Sequence, residues 1–90
     1  MFKNFPEIRW TEASETHIAR HNVKPWEVEE ALQPPTVATN GDDATIVVGR
    51  TYAGRYLTMV LTASADGLLF VVTAYDSPPD DRRIHSRRTR

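Results

Sequence analysis

The sequence contains no cysteine, so the chain forms no disulfide and offers no thiolate as a metal ligand or nucleophile. Its four glycines form no glycine-rich phosphate loop, and no Gly-x-Ser-x-Gly nucleophile motif occurs. No apolar run approaches the roughly 20 residues that span a bilayer. The first six residues lack the apolar core of a signal peptide. The sequence therefore predicts a cytoplasmic protein with no membrane partner, no nucleotide cofactor and no bound metal.

Basic residues are concentrated at one end of the chain. Ninety residues with 40% hydrophobic content suit one small globular domain. Residues 78–90 hold five of the eleven basic groups and two acidic ones, whereas residues 1–77 hold six basic and ten acidic residues. We therefore predict a domain body over residues 1–77 and a basic C-terminal helix or tail over residues 78–90. Arginine clusters suit phosphate because guanidinium stays charged and presents a planar fork of donors; a solvated tail is the plainer alternative.

Two helices are predicted in the first third of the chain. Thr11 is a favourable N-cap, and Asn22 tolerates the left-handed conformation found at helix ends, so the first helix should run over residues 12–21. Pro25 suits the first turn of a second helix because it fixes φ and lacks a donor that would be left unpaired. Pro34-Pro35 should end that helix.

From residue 36 onward the hydrophobic pattern changes to period two, which indicates strands. The Asn40-Gly41 step favours a hairpin turn. Residues 5–10 contain a proline and fit a short edge strand or an extended lead-in. The four predicted strands cover residues 36–39, 44–49, 55–63 and 68–75. The predicted fold class is α+β, with two N-terminal helices packed on a four-stranded, mainly antiparallel sheet.

Several short stretches follow one another in a characteristic order along most of the chain. They are Ile8-Arg9-Trp10-Thr11-Glu12, His17-Ile18-Ala19-Arg20-His21-Asn22-Val23, Pro25-Trp26-Glu27-Val28-Glu29-Glu30-Ala31-Leu32, Val48-Gly49-Arg50-Thr51, Gly54-Arg55-Tyr56-Leu57, and Val72-Thr73-Ala74 followed by Asp81-Arg82-Arg83. This ordered set resembles the BrnT-type toxins of bacterial toxin–antitoxin pairs. Two positions depart from the family pattern: Tyr75 stands where an arginine is usual, and Asp81 where glutamate is common.

The resemblance implies a RelE-like fold and the toxin role in a type II toxin–antitoxin system. It implies metal-independent cleavage of RNA, chiefly messenger RNA, and growth inhibition when the toxin is unopposed. It also implies a cognate antitoxin of the BrnA kind, a ribbon-helix-helix protein that covers the active face. The toxin–antitoxin complex would bind operator DNA, mainly through the antitoxin.

Such cleavage uses the 2′-hydroxyl of the RNA as nucleophile, and positive groups must stabilise the extra charge on the phosphorane. The candidate residues for this role are Arg50, Arg55, Arg82 and Arg83. Arg50 ends one predicted strand and Arg55 begins the next across a short turn, so we expect them to lie near each other. The alternative for this pair is that both only keep a hairpin end soluble.

The reaction also needs groups that accept and donate protons. His21 is the first candidate, and it shares a helix face with His17, four residues earlier. A helix-surface role is the alternative, and a zinc pair lacks an evident third ligand. Tyr75 can donate a hydrogen bond in place of the missing arginine or can pack at the sheet end. Asp81 can act as a general base or as a favourable acid at a helix start.

RNA binding is assigned to the basic end and to one histidine. The candidate RNA-binding residues are Arg82, Arg83, Arg87, Arg88 and His17. A second hypothesis is a non-catalytic protein- or nucleic-acid-binding module on the same fold, which Tyr75 in place of arginine favours. A third is a small metal-dependent hydrolase built on His17 and His21, which requires a further ligand.

Overall fold

The computed structural model describes residues 7–63 and 67–88. Within these ranges the fold is α+β, as predicted, and no helix has the length and apolarity required to cross a membrane. The elements in chain order are β1 (Ile8–Arg9), α1 (Glu12–Ala19), α2 (Pro25–Ala31), β2 (Val37–Asn40), β3 (Thr45–Arg50), β4 (Tyr56–Ala63), β5 (Leu69–Asp76) and α3 (Pro79–Arg88).

The sheet has five strands in the order β1-β5-β4-β3-β2, which corrects the prediction of four strands. β2 to β5 pair antiparallel, while β1 lies parallel to β5 and makes the sheet mixed. Ile8 aligns with Leu69 in this added pair, and the Leu69 amide donates to the Glu7 carbonyl oxygen at 2.9 Å. The sequence offered an edge strand or an extended lead-in for residues 5–10, and β1 lies at the edge of the sheet. Two residues are too short to show a period, so their place in the sheet is evident only from the long-range partner.

The helix boundaries follow the local signals closely. The Thr11 side chain accepts a hydrogen bond from the Ser14 amide at 3.0 Å, and the Ser14 hydroxyl accepts one from the Thr11 amide at 3.0 Å. Helix α1 ends at Ala19, two residues before the predicted end, and Asn22 has the expected left-handed φ of 61°. Helix α2 begins at Pro25, as predicted.

The hydrophobic core lies between one face of the sheet and helices α1 and α2. Ile18, Val28, Leu57, Met59 and Val71 are almost completely buried there. Side chains alternate along β4, so the neighbours of Leu57 and Met59 point to the opposite face. That opposite face carries α3, which lies in the segment predicted as a basic helix or tail and adds a third helix to the two predicted on the sheet.

Helix α2 and strand β3 approach each other unusually closely at Gly49. A Cβ atom at this position would lie 1.8 Å from the carbonyl oxygen of Ala31, and therefore only glycine fits without a shift of backbone. The glycine of the Val48-Gly49-Arg50-Thr51 stretch is thus required for packing. At the next turn Gly54 has a positive φ of 98°, which also favours glycine.

Candidate nucleic-acid interface

A groove around Tyr56 brings together four of the predicted site arginines. Tyr56 is half-buried at the start of β4 and lies between two open hollows of about 650 and 660 Å³. Ser86 also lines both hollows, so they form one continuous surface. We call this surface the arginine groove and define it by Arg50, Tyr56, Arg82, Arg83, His85 and Arg87.

Two neighbours fix the ring of Tyr56. Arg50 pairs with Tyr56 across β3 and β4, and its guanidinium carbon lies 5.1 Å from the ring centroid, a cation–π contact. The Nε of Arg50 also donates to the carbonyl oxygen of Gly54 at 3.4 Å. The His85 ring meets Tyr56 edge-on, with centroids 5.4 Å apart and planes at 81°. The tyrosine is therefore held in place by one residue of β3 and one of α3.

His85 is a buried residue of α3, with 4% of its surface exposed. Its Nε2 lies 3.0 Å from the carbonyl oxygen of Pro35, and because a carbonyl only accepts, Nε2 donates. This bond ties α3 to the turn after α2. His85 thus packs against Tyr56, whereas from the sequence it could be either a proton-transfer group or, more simply, a solvated residue of the basic segment.

Asp81 connects the first turn of α3 to the sheet. The Thr58 hydroxyl donates to Asp81 Oδ2 at 2.9 Å, and Thr58 is 1% exposed. The Ser77 hydroxyl lies 2.9 Å from the Thr58 oxygen. Since the single hydroxyl proton of Thr58 is directed at Asp81, Ser77 donates to Thr58. This buried chain favours an anchoring role for Asp81 over the predicted role as general base.

Arg55 lies outside the arginine groove, on the side of the sheet that carries α1 and α2. There it acts as a clamp, because its guanidinium bonds to several elements at once. Its Nε donates to Asp76 Oδ1 at 2.6 Å, and its Nη1 donates to Glu27 Oε1 at 3.1 Å. Further bonds reach the backbone carbonyls of Asn22 at 2.8 Å and His21 at 3.2 Å. The bond to Asp76 raises the pKa of Arg55, against the effect of burial, and Arg55 in turn lowers the pKa of Asp76.

Arg50 and Arg55 were expected to lie near each other, but they do not form one site. Both residues flank the same turn, but Arg50 reaches Tyr56 in the groove and Arg55 reaches α2 and the α1–α2 turn. A guanidinium group engaged by four oxygen atoms has few donors left for a phosphate. The geometry favours a structural role for Arg55.

The predicted histidines form a second cluster, with Tyr75, away from the groove lining. His17 and His21 are exposed, and their rings stack with centroids 6.3 Å apart. The His21 ring lies 6.0 Å from that of Tyr75, which is half-buried at the end of β5. In the part of the chain that the structure describes, no group of three or more metal-binding side chains occurs.

Helix α3 carries the arginines of the basic C-terminal segment that the structure describes. Arg83 forms an exposed ion pair with Asp80 at 3.0 Å, and Arg88 is exposed at the helix end. The helix carries two acids in its first turn and basic residues in its last, which complements the helix dipole. Arg90 of the predicted basic segment lies outside the described residues, as do residues 1–6.

Tyr56 and His85 line the groove but are not among the site residues predicted from the sequence. A signal for His85 was present: it follows Asp81 by four residues, so both lie on one face of a helix. The sheet alternation likewise puts Tyr56 on the face opposite Leu57. No protein-family model matches this chain, and neither a curated protein nor a solved structure matches it.

Proposed function

We propose that this chain is the toxin of a type II toxin–antitoxin pair, a RelE-like endoribonuclease that cleaves messenger RNA without a metal. The observation that carries the proposal is that Arg50 on one side of Tyr56, and Arg82, Arg83 and Arg87 on the other, line one open groove. The first three of these arginines belong to the stretches that resemble BrnT-type toxins. Sequence resemblance and side-chain geometry thus support the same site.

In this proposal the scissile phosphate binds between Arg50 and the arginines of α3. The 2′-hydroxyl attacks the phosphorus, the bond to the 5′-oxygen breaks, and the products are a 2′,3′-cyclic phosphate and a 5′-hydroxyl. The arginines stabilise the charge that develops on the phosphorane oxygens. Tyr56 donates a proton to the leaving oxygen, and water in the open groove accepts the proton of the 2′-hydroxyl.

The same proposal includes the partners that the resemblance implies. A cognate antitoxin of the BrnA kind covers the groove, and the complex binds operator DNA through the antitoxin. The chain alone has a formal net charge of −1, which opposes strong binding to nucleic acid because that affinity grows with each phosphate neutralised. Cytoplasmic action on RNA follows from this role.

A second candidate function is a non-catalytic binding module on the same fold. It is favoured by the engagement of two proton-transfer candidates: His85 is buried against Pro35, and Asp81 is bonded to Thr58. Within the described lining of the groove, Tyr56, Tyr52 and Glu30 then remain as groups that can carry a proton, and Glu30 accepts a hydrogen bond from the Tyr52 amide. The arginines would in that case hold a phosphate without cleaving it.

The test is induction of the chain alone in a bacterial host, with growth and RNA ends followed by primer extension. The variants are Arg50→Ala, the double variant Arg82→Ala/Arg83→Ala, and Tyr56→Phe. Arg20→Ala is the control, because Arg20 is an exposed arginine at the end of α1 and does not line the groove. Each variant also needs a measured unfolding midpoint, so that misfolding is recognised.

We expect growth arrest and new RNA ends with the unaltered chain and with Arg20→Ala. The groove variants should lose at least about a hundredfold in RNA cleavage, as for loss of a charge-stabilising donor. Normal growth with intact RNA and folded protein would reject the nuclease and favour the binding module.

A further inference from the structure

A second hollow lies beside the arginine groove and has the opposite charge. It has a volume of about 260 Å³, and its lining includes Glu7, Glu29 and Glu30. Among the described residues, no lysine or arginine lines it. Two aromatic side chains, Trp26 and Tyr52, complete its wall. We call this surface the acidic hollow.

Both aromatic residues are unusually exposed for their size. Trp26 is 56% exposed and Tyr52 is 76% exposed. Trp26 follows Pro25 in the first turn of α2, so its position is fixed by the helix. Tyr52 is held at the turn after β3, where its backbone amide donates to Glu30 Oε1 at 3.0 Å. Rigidly placed, exposed aromatic residues are characteristic of the centres of protein interfaces.

The acidic hollow and the arginine groove share a boundary. Glu30, Gln33 and Tyr52 line both the hollow and the Arg50 side of the groove. One face of the protein therefore has Glu7 and Glu29 on one side of Tyr52 and Arg50 on the other, with Glu30 at the boundary. Such a face is complementary to itself after rotation by half a turn about an axis through the boundary.

We propose that this face is a homodimer interface and that its occupant is a second copy of the chain. A twofold axis near Tyr52 places Trp26 and the carboxylates of one copy against Arg50 of the other, and the same contact occurs again by symmetry. Arg50 is exposed, and its guanidinium can stack on tryptophan, which is the strongest aromatic partner for a cation. A second copy fits this face because each copy supplies both the acidic hollow and the arginine that would pair with it.

The dimer would cover the Arg50 side of the arginine groove. If RNA binds there, dimerisation and RNA binding compete, and the dimer is a stored, inactive form of the protein. This regulatory consequence rests on the proposed function. Dimerisation itself does not, and it is measured without RNA, so failure of one idea is distinguishable from failure of the other.

Charge exchange between the two halves provides the test, with sedimentation velocity as the measurement. One variant, Glu7→Arg/Glu29→Arg, makes the hollow basic, and the other, Arg50→Glu, makes the facing group acidic. Asp42→Arg/Asp43→Arg is the control, because it makes the same charge change on the exposed β2–β3 turn. Each protein is examined over about a hundredfold range of concentration, in low salt and in about 0.5 M salt.

We expect the unaltered protein and the turn control to dimerise in low salt and to dissociate as salt rises. Each charge variant alone should dimerise at least about tenfold more weakly, because two like-charge contacts replace two attractive ones. An equimolar mixture of the two variants should restore the dimer, since both of its contacts are attractive again. A lasting monomer, or a mixture that fails to associate, would overturn the proposal and leave the face to a basic partner protein.

Discussion

Arg50 and Arg55 flank one turn but serve opposite faces of the sheet. Arg50 lies over the ring of Tyr56 in the groove beneath α3, whereas Arg55 bonds to Asp76, Glu27 and the α1–α2 turn. The arginines of the two glycine–arginine stretches, which suggest one functional unit in the sequence, therefore have different roles. One arginine is available to a ligand, and the other holds the fold together.

The clamp role of Arg55 predicts a loss of stability on its removal. Arg55→Ala should lower the free energy of unfolding by about 1–3 kcal/mol, because charge-assisted bonds to Asp76 and Glu27 disappear. Arg55→Lys should recover only part of this, since an ammonium group cannot reproduce the planar fork. Urea unfolding measures both, with Arg20→Ala as the control. Equal stability of Arg55→Ala and the unaltered protein would exclude the clamp.

The same contact predicts part of the acid sensitivity of the fold. Arg55 lowers the pKa of Asp76, so the ionised carboxylate stabilises the folded state above its ordinary pKa of 3.8. This stabilisation is lost as the pH falls through the lower folded value. Asp76→Asn should therefore start less stable at neutral pH and lose less on acidification. Urea midpoints measured across a pH series check this, and parallel curves for the two proteins would contradict it.

The close approach of α2 to β3 predicts a strict requirement for glycine at position 49. Gly49→Ala should cost about 3 kcal/mol or more, because the added Cβ meets the Ala31 carbonyl and the backbone must move. Gly67→Ala is the comparison: its Cβ enters open space, and its left-handed φ costs only about 1–2 kcal/mol. Thermal or urea unfolding ranks the two, and a larger cost for Gly67→Ala would refute the packing argument.

The anchoring of α3 predicts a difference between two adjacent acids. Asp81→Ala removes the acceptor of the buried Thr58 hydroxyl, so α3 should detach more often and trypsin should cleave after Arg82 about fivefold faster. Asp80→Ala removes only an exposed pair with Arg83, worth a few tenths of a kcal/mol. Timed digestion under native conditions compares them. Identical digestion rates would show that Asp81 does not hold the helix.

Local chemistry accounts for what the sequence predicted well. Thr11, Asn22 and Pro25 act through their own backbone neighbourhood, and the helices begin and end almost where these residues indicate. The alternation of β4 similarly reveals which side chains share a face. For β1 the sequence indicated only an edge strand or an extended lead-in over residues 5–10, because its two paired residues gain their structure from β5.

Four of the arginines named from the sequence line one groove, whereas Arg55 and the proton-transfer candidates lie elsewhere. Arg50, Arg82, Arg83 and Arg87 meet in one groove, but the predicted His21, His17 and Tyr75 gather elsewhere. Tyr75 lies on the α3 face of the sheet, but in a separate hollow with Thr58, Asp81 and Ile84. Helix α3 is held beside the groove by two tertiary bonds, from His85 to Pro35 and from Thr58 to Asp81, which no local pattern encodes.

Our proposal assigns RNA cleavage to the arginine groove. The most direct measurement adds purified protein to a bacterial cell-free translation reaction programmed with one messenger RNA and maps new ends that carry a 5′-hydroxyl. The unaltered protein and Arg20→Ala should produce the same new ends, and Arg50→Ala and Arg82→Ala/Arg83→Ala should produce almost none. New ends that persist unchanged in both groove variants, or their absence with the unaltered protein, would contradict the account.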